Sequence, residues 1–134
     1  MMNSDLTFHH IGIATDNISK TSLFYLKMGF VSTTPTEDPI QKVIIVFLKK
    51  ENSPTIELLE PLTIDSPVTK IIEKNGVMPY HICYEVDNIN ETINELRKDK
   101  FIPLSSPVKA IALENRLICF LFNKEVGLIE LLQK

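Results

Sequence analysis

The chain has 134 residues, a mass of 15.3 kDa and a formal charge of −3, which is the size of one ordinary domain with its own core. Its 44% hydrophobic and 23% charged residues are typical of a soluble globular protein, and the mild negative charge excludes a general attraction to nucleic acid or acidic membranes. The apolar runs are too short to span a bilayer and the first residues do not resemble a signal peptide, so we expect a cytoplasmic protein without nucleic-acid or membrane partners.

The first part of the chain, about residues 6–62, is predicted to form a strand, a helix and three further strands. Residues 9–15 alternate as a strand does, Asp16-Asn17 can cap a helix, and Gly29 suits a left-handed C-terminal stop. Later strands are predicted near 30–33, 43–48 and 55–60. A connector helix is then predicted over about residues 65–76, since proline follows a capping serine at Ser66-Pro67.

The last part, about residues 79–134, shows the same order of elements. Tyr80 to Val86 is predicted to be a strand, and Asp87-Asn88 can cap the next helix. The apolar stripe of that helix is Ile89, Ile93 and Leu96. Strands are predicted near 102–104, 116–122 and 127–132. The sequence therefore predicts one α+β domain, residues 1–134, made of two tandem βαβββ modules.

The two modules also share sequence. The segment from His10 to Ile18 matches His81 to Ile89 in five of nine places at an offset of 71 residues. The segment Ile56-Glu57-Leu58-Leu59 recurs as Ile129-Glu130-Leu131-Leu132 at an offset of 73 residues. Each short match alone could arise by chance, but matches in the same order and at nearly the same spacing favour an internal duplication.

The duplication makes His10 equivalent to His81 and Glu57 equivalent to Glu130. Burying two imidazoles and two carboxylates without compensation would cost several kcal/mol per charge, and a divalent cation is the simplest compensation. Nitrogen and carboxylate ligands suit Zn, Co, Ni, Mn or Fe(II), so we predict a metal site formed by these four residues. Considered alone, a histidine in a strand is more often a core or surface residue with its hydrogen bonds satisfied than a metal ligand. A glutamate in a strand is likewise more often an outward-facing charge than a ligand. His9 is an alternative to His10.

Strand alternation places the ligands on one face of the sheet. His10 shares its face with Gly12 and Ala14, whereas Ile11 and Ile13 point to the other face, which the helices should cover.

Several other side chains have an expected place. Three aromatic residues are expected in the core, with a platform for substrate as the alternative: Phe47, Tyr84 and Phe122. Three basic residues are either solvated surface charges or anion contacts at the rim of a cleft: Lys42, Lys109 and Arg116. The two cysteines lie in apolar segments without a CxxC pair, which indicates buried free thiols: Cys83 and Cys119.

Paired βαβββ modules with histidine in the first strand and glutamate in the last resemble the vicinal oxygen chelate superfamily, and the resemblance covers nearly the whole chain. The segments most similar to its glyoxalase I and methylmalonyl-CoA epimerase branch are 10–14, 24–25, 56–62, 65–68, 81–82 with 85–87, and 127–131. Extradiol dioxygenases are less similar, because they use two histidines and one carboxylate. The resemblance implies a curved, eight-stranded, cleft-containing sheet of the glyoxalase/bleomycin-resistance type, with the helices outside.

The same resemblance implies a divalent-metal-dependent lyase or isomerase. Such an enzyme removes a proton α to a carbonyl and gives an enolate or enediolate that the metal stabilises. Glu130 is expected to be the principal base and Glu57 the second base. The implied substrate is a small molecule, a thioester or an α-keto or hemithioacetal compound, and a homodimer is expected.

Two features depart from named members of the branch. Residues 108–116 stand where epimerases usually carry a glycine-rich stretch that approaches coenzyme A. Gly12-Ile13-Ala14 stands where glyoxalase I places a basic residue for glutathione.

Two other functions remain open at this point. A small-molecule binding or resistance protein would use the same cleft without turnover and would hold its ligand tightly with no exchange of an α proton. A metal-free structural domain would satisfy the histidines by internal hydrogen bonds and would retain no stoichiometric metal.

Overall fold

The computed structural model describes all 134 residues, with three α-helices, one short 3-10 helix and ten strands of a mixed sheet. The helices are α1 (Ile18–Lys27), α2 (Pro67–Asn75) and α3 (Ile89–Lys98), and the 3-10 helix is Ile111–Leu113. The strands are β1 (Thr7–Ala14), β2 (Val31–Ser32), β3 (Thr36–Asp38), β4 (Val43–Lys49), β5 (Ile56–Pro61), β6 (Met78–Val86), β7 (Ile102–Pro103), β8 (Val108–Ala110), β9 (Arg116–Asn123) and β10 (Gly127–Gln133).

The chain divides into two compact units. The first unit is His10–Tyr80, and the second consists of Met1–His9 together with His81–Lys134. The arrangement as one domain of two modules with a connector helix stays a prediction. None of the three helices is both long and apolar enough to cross a bilayer.

The first unit contains the strand order β2-β4-β5-β1. β1 runs parallel to β5, while β4 pairs antiparallel with β5, β2 and β3. Helix α1 begins after Asn17, whose side chain accepts a hydrogen bond from the backbone N–H of Lys20 at 3.0 Å. Gly29 has a φ of +95°, which explains why glycine stands just after this helix.

The second unit repeats this plan with the strand order β6-β10-β9-β7. β6 runs parallel to β10, while β9 pairs antiparallel with β10, β7 and β8. The Asn88 side chain caps α3 by accepting a hydrogen bond from the backbone N–H of Glu91 at 3.1 Å. The predicted caps, helices and long strands are therefore confirmed in both halves.

The sheet has ten strands where eight were predicted, because each half carries one more short strand. The additional strands are β3 and β8, three residues each. Each pairs only with the strand that precedes the glutamate strand of its unit. Segments of three residues are too short for a period-two hydrophobic pattern, so they could not be recognised locally.

The cores lie where strand alternation predicts. In the first unit Ile13 packs with Ile18 of α1, and Ile11 lies against the same group. In the second unit Val86 packs with Ile93 of α3. The isoleucine face of β1 is thus the face that the helix covers, as predicted.

One core prediction is wrong. Phe122 is 44% exposed, because it alternates onto the face of β9 opposite to that of its buried neighbours Leu121 and Asn123. Phe47 is buried and Tyr84 packs against the core of its unit, as predicted. Cys83 and Cys119 are buried and form no disulfide, also as predicted.

Candidate functional site

The first pair of predicted ligands lies on neighbouring strands of the first unit. His10 is on β1 and Glu57 is on β5, where Glu57 is the register partner of Gly12. Nε2 of His10 lies 3.1 Å from Oε1 of Glu57. Both side chains are buried, with exposed fractions of 0% and 3%. The glycine opposite Glu57 has no side chain to separate the imidazole from the carboxylate.

The second pair has the same arrangement in the second unit. His81 is on β6 and Glu130 is on β10, where Glu130 is the register partner of Cys83. Nε2 of His81 lies 3.3 Å from Oε1 of Glu130, and both side chains are buried. The sequence duplication therefore corresponds to a duplicated contact between an imidazole nitrogen and a carboxylate oxygen.

The geometry of each pair suits a divalent metal ion. Two atoms bound to one ion through bonds of about 2.1 Å lie roughly 3.0 to 3.4 Å apart at bond angles of about 90 to 109°. The separations of 3.1 Å and 3.3 Å fall in that range. Imidazole nitrogen with carboxylate oxygen is also the donor set that zinc and its first-row neighbours accept. The role of the four residues as ligands stays a prediction.

Two phenylalanines pack edge-on against the imidazoles. The sequence analysis did not assign them to the site. The Phe47 ring stands edge-on to His10 with centroids 5.4 Å apart, and Phe120 does the same to His81 at 5.0 Å. Phe47 is the register partner of Glu57, and Phe120 is the partner of Glu130. The two rings are separated by 73 residues, the same offset as the two glutamates, and that offset could have identified them.

An apolar layer continues from the second pair along the same face of its sheet. Cys83, Ile118 and Leu132 are buried there, and Phe120 packs against them. His81, Cys83 and Glu85 alternate onto this face of β6. The second unit therefore offers an apolar surface next to its polar pair.

An ion pair lies at the end of this apolar layer. The Arg116 guanidinium donates to the carboxylate of Glu85, and its Nε–H donates to the carbonyl of Gln133 at 2.8 Å. The hydrogen bond from Arg116 holds the pKa of the Glu85 carboxyl below its usual value, against the opposing effect of burial. Arg116 is therefore engaged inside the protein and is not a freely solvated surface charge.

The two other basic residues have simpler places. Lys42 forms an ion pair with Asp65 on the surface, with both side chains largely in solvent. Lys109 is exposed on β8. His9, the alternative to His10, lies on β1 with a ring nitrogen within 4.8 Å of the sulfur of Cys83.

The turn before β9 has left-handed backbone without glycine. Glu114 and Asn115 have φ angles of 58° and 60°, and the Asn115 N–H donates to the carbonyl of Ala110 at 2.9 Å. Left-handed conformations favour glycine, so this turn keeps a glycine-like backbone with two larger side chains.

A family model described as "Glyoxalase/Bleomycin resistance protein/Dioxygenase superfamily" matches residues 9–120. The chain is 38% identical over 130 residues to the mitochondrial methylmalonyl-CoA epimerase of Homo sapiens, covering 93% of this chain and 72% of that protein. It is 30% identical over 131 residues to the ethylmalonyl-CoA/methylmalonyl-CoA epimerase of Cereibacter sphaeroides, covering 93% of this chain and 96% of that protein.

Solved structures show the same similarity in three dimensions. A variant of the Streptomyces coelicolor methylmalonyl-CoA epimerase, in complex with 2-nitronate-propionyl-CoA, matches with a TM-score of 0.83 and 27% identity. That match covers 97% of this chain and 99% of the other. The predicted fold is confirmed by this similarity.

Proposed function

The chain belongs to the glyoxalase/bleomycin resistance protein/dioxygenase superfamily, and from this membership we propose that it is a divalent-metal-dependent epimerase acting α to the carbonyl of an acyl-CoA thioester. The observation that carries the proposal is the buried histidine–glutamate contact that occurs once in each unit. Two such pairs at equivalent places of a duplicated chain supply both the ligands and the carboxylates that the reaction requires.

The proposed metal ligands are His10, Glu57, His81 and Glu130. Members of this superfamily typically bind a divalent metal, and the separation of nitrogen and oxygen within each pair suits a first-row ion such as Zn, Ni, Co, Mn or Fe. When bound, such an ion supplies a positive charge that stabilises negative charge developing on a substrate oxygen. The edge-on phenylalanines restrict rotation of both imidazoles, which keeps Nε2 of each histidine directed at its glutamate.

The two glutamates are the proposed bases. A carboxylate oxygen of Glu130 takes the proton from the carbon next to the thioester carbonyl, and Glu57 is the second base. Return of a proton to the opposite face of the same carbon inverts its configuration, which is epimerisation. Both carboxylates stand on central strands and are shielded from bulk water, so they hold fixed positions during the transfer.

The relatives favour a coenzyme A thioester over a glutathione adduct. The human and Cereibacter relatives are named as epimerases of acyl-CoA substrates, and the Streptomyces structure holds an acyl-CoA analogue. Residues 108–116 lack the glycine-rich stretch that approaches coenzyme A in epimerases. The left-handed backbone of Glu114 and Asn115 nevertheless has the conformation that glycines usually adopt.

The test is exchange of the α proton with solvent. Chain loaded with each candidate metal is incubated with methylmalonyl-CoA in D₂O, and deuterium at the α carbon is followed by mass spectrometry. We expect catalysed exchange with racemisation, and weaker or no turnover of the hemithioacetal of methylglyoxal and glutathione. No exchange of either compound by protein that holds stoichiometric metal would overturn the proposal, and a tight complex without exchange would favour a binding protein.

The homodimer and the cytoplasmic location stay predictions. Sedimentation equilibrium of the purified chain tests the first, and fractionation of cells that express the untagged chain tests the second.

A further inference from the structure

We propose that the groove between α3 and the connection from β7 to β8 is a second binding site, which takes a phosphate group, either free or as the phosphate of a small organic ester. The groove encloses about 310 Å³, at the lower end of the ~300–1,000 Å³ typical of small-molecule sites. It lies wholly within the second unit. Nothing in the proposed epimerase reaction uses it.

The lining of the groove combines five residues that can donate hydrogen bonds with Ile93, Pro103 and Pro107. Asn90, Asn94 and Arg97 of α3 face it, and Ser105 and Ser106 of the connection face it from the other side. Positions 90, 94 and 97 fall on one stripe of a helix, so two amides and one guanidinium are directed to the same side. The Ser105 hydroxyl already donates to the carbonyl of Ser106 at 2.9 Å, and the two amides, the guanidinium and the Ser106 hydroxyl still offer enough donors for the oxygens of a phosphate.

The charge of the groove is positive. Arg97 is the only charged residue of the lining, and its exposed guanidinium forms neither an ion pair nor a side-chain hydrogen bond within the chain. The side chains of Asn90 and Asn94 are likewise without partners inside the protein. A guanidinium binds phosphate through two parallel hydrogen bonds. A carboxylate partner would use the same two donors.

The acidic residues of α3 lie outside the groove. Glu91 and Glu95 belong to a different stripe of the helix. Glu95 is engaged by the N-terminal segment, since its carboxylate accepts hydrogen bonds from the backbone of Asn3 and from Ser4. The two carboxylates of the helix therefore lie away from the groove.

The connection that forms the far wall is anchored. The thiol of buried Cys119 donates to the carbonyl of Ser105 at 3.4 Å, and a proline lies on each side of the two serines, at 103 and 107. A wall held in this way loses little conformational freedom when a ligand binds.

The groove and the pair of His81 and Glu130 lie on opposite faces of the sheet of this unit. Ile129 and Leu131 of β10 pack on the core that α3 covers, whereas Glu130 and Leu132 alternate onto the other face. Binding in the groove is therefore distinct from binding at the candidate metal site.

The test is a titration of ¹⁵N-labelled protein with inorganic phosphate, followed by NMR at constant ionic strength set with chloride. The reporters are the Nε–H of Arg97 and the side-chain amides of Asn90 and Asn94. We expect saturable shifts at these groups and about tenfold weaker binding in Arg97→Gln, because a charge-assisted pair of hydrogen bonds is lost. Lys20→Gln removes one exposed positive charge from α1 and should bind phosphate as the original chain does.

A second variant and two further ligands complete the test. Asn94→Asp places a carboxylate in the groove and should also weaken binding, with an unchanged backbone spectrum elsewhere showing that it folds. Tighter binding of adenosine monophosphate than of inorganic phosphate would identify an ester as the ligand, and equal binding would identify free phosphate. Three results would overturn the proposal. The shifts could persist in Arg97→Gln, they could follow ionic strength alone, or acetate could bind as tightly as phosphate.

Discussion

Nε2 of His81 lies 3.3 Å from Oε1 of Glu130, two buried side chains whose strands run parallel and adjacent in one unit. His10 and Glu57 make the same contact at 3.1 Å in the other unit. Either a hydrogen bond from a protonated Nε2 or shared coordination of an ion gives such a distance, and the two explanations make different predictions.

Removing one imidazole should remove the metal. His81→Ala leaves three of the four proposed ligands, so we expect metal measured after gentle purification to fall from stoichiometric to near zero. Ile82→Ala is the control, because Ile82 follows His81 on β6 and its apolar side chain is 40% exposed. Equal metal content in His81→Ala and the original chain would show that the contact is a hydrogen bond without an ion.

Replacing either glutamate with glutamine should impair proton transfer more than it impairs metal binding. Glutamine keeps a ligand oxygen but cannot take a proton, so Glu130→Gln should retain much of its metal and lose exchange of the α proton by about 10²-fold or more. Glu57→Gln should slow inversion of configuration while metal is again retained. Exchange at an unchanged rate in Glu130→Gln would remove that residue from the proposed role.

Phe120 should act as a positioning residue for His81. Replacing it with leucine removes the edge-on contact, which is worth about 0.5–1.5 kcal/mol, so the dissociation constant for metal should rise roughly 2- to 10-fold. Phe122→Leu on the same strand is the control, because Phe122 is exposed. Competition with a chelating dye measures the affinity, and a purely structural role would lower the free energy of unfolding of the metal-free protein without changing that affinity.

Glycine at position 114 should stabilise the fold. Glu114 has a φ of 58°, a conformation that costs a non-glycine residue about 1 kcal/mol, so Glu114→Gly should raise the free energy of unfolding by several tenths to about 1 kcal/mol. Glu125→Gly is the matched control in another turn without positive φ, and it should lower stability. Urea unfolding measures both, and destabilisation by both variants would contradict the explanation.

The ion pair of Glu85 and Arg116 should make stability depend on pH in the acid range. Because the pKa of Glu85 is lowered in the folded state, its contribution is present above the usual value near 4.5 and is lost as the pH falls through the lowered value. The difference in unfolding free energy between the original chain and Glu85→Gln should therefore be largest near neutral pH and shrink below that window. A double-mutant cycle with Arg116→Gln should show coupling at neutral pH only, and coupling that persists in strong acid would contradict it.

Much of the fold could be predicted from short stretches of the sequence. The caps Asn17 and Asn88 and the long apolar strands are recognisable because capping and hydrophobic periodicity act over a few residues. The duplication did more, since it connected His10 with His81 and Glu57 with Glu130 before any contact was known. The short strands β3 and β8 were missed because their pairing depends on β4 and β9 rather than on their own composition.

By itself, the sequence determined which residue types recur and on which face of each strand they lie, because the repeat and the two-residue period of a strand are properties of the chain order. Only the tertiary structure decided that Nε2 of each histidine meets its glutamate, that Phe47 and Phe120 hold the rings, and that Arg116 is engaged by Glu85. These contacts join residues far apart in the chain. They depend on strand register and side-chain direction, which no local pattern encodes.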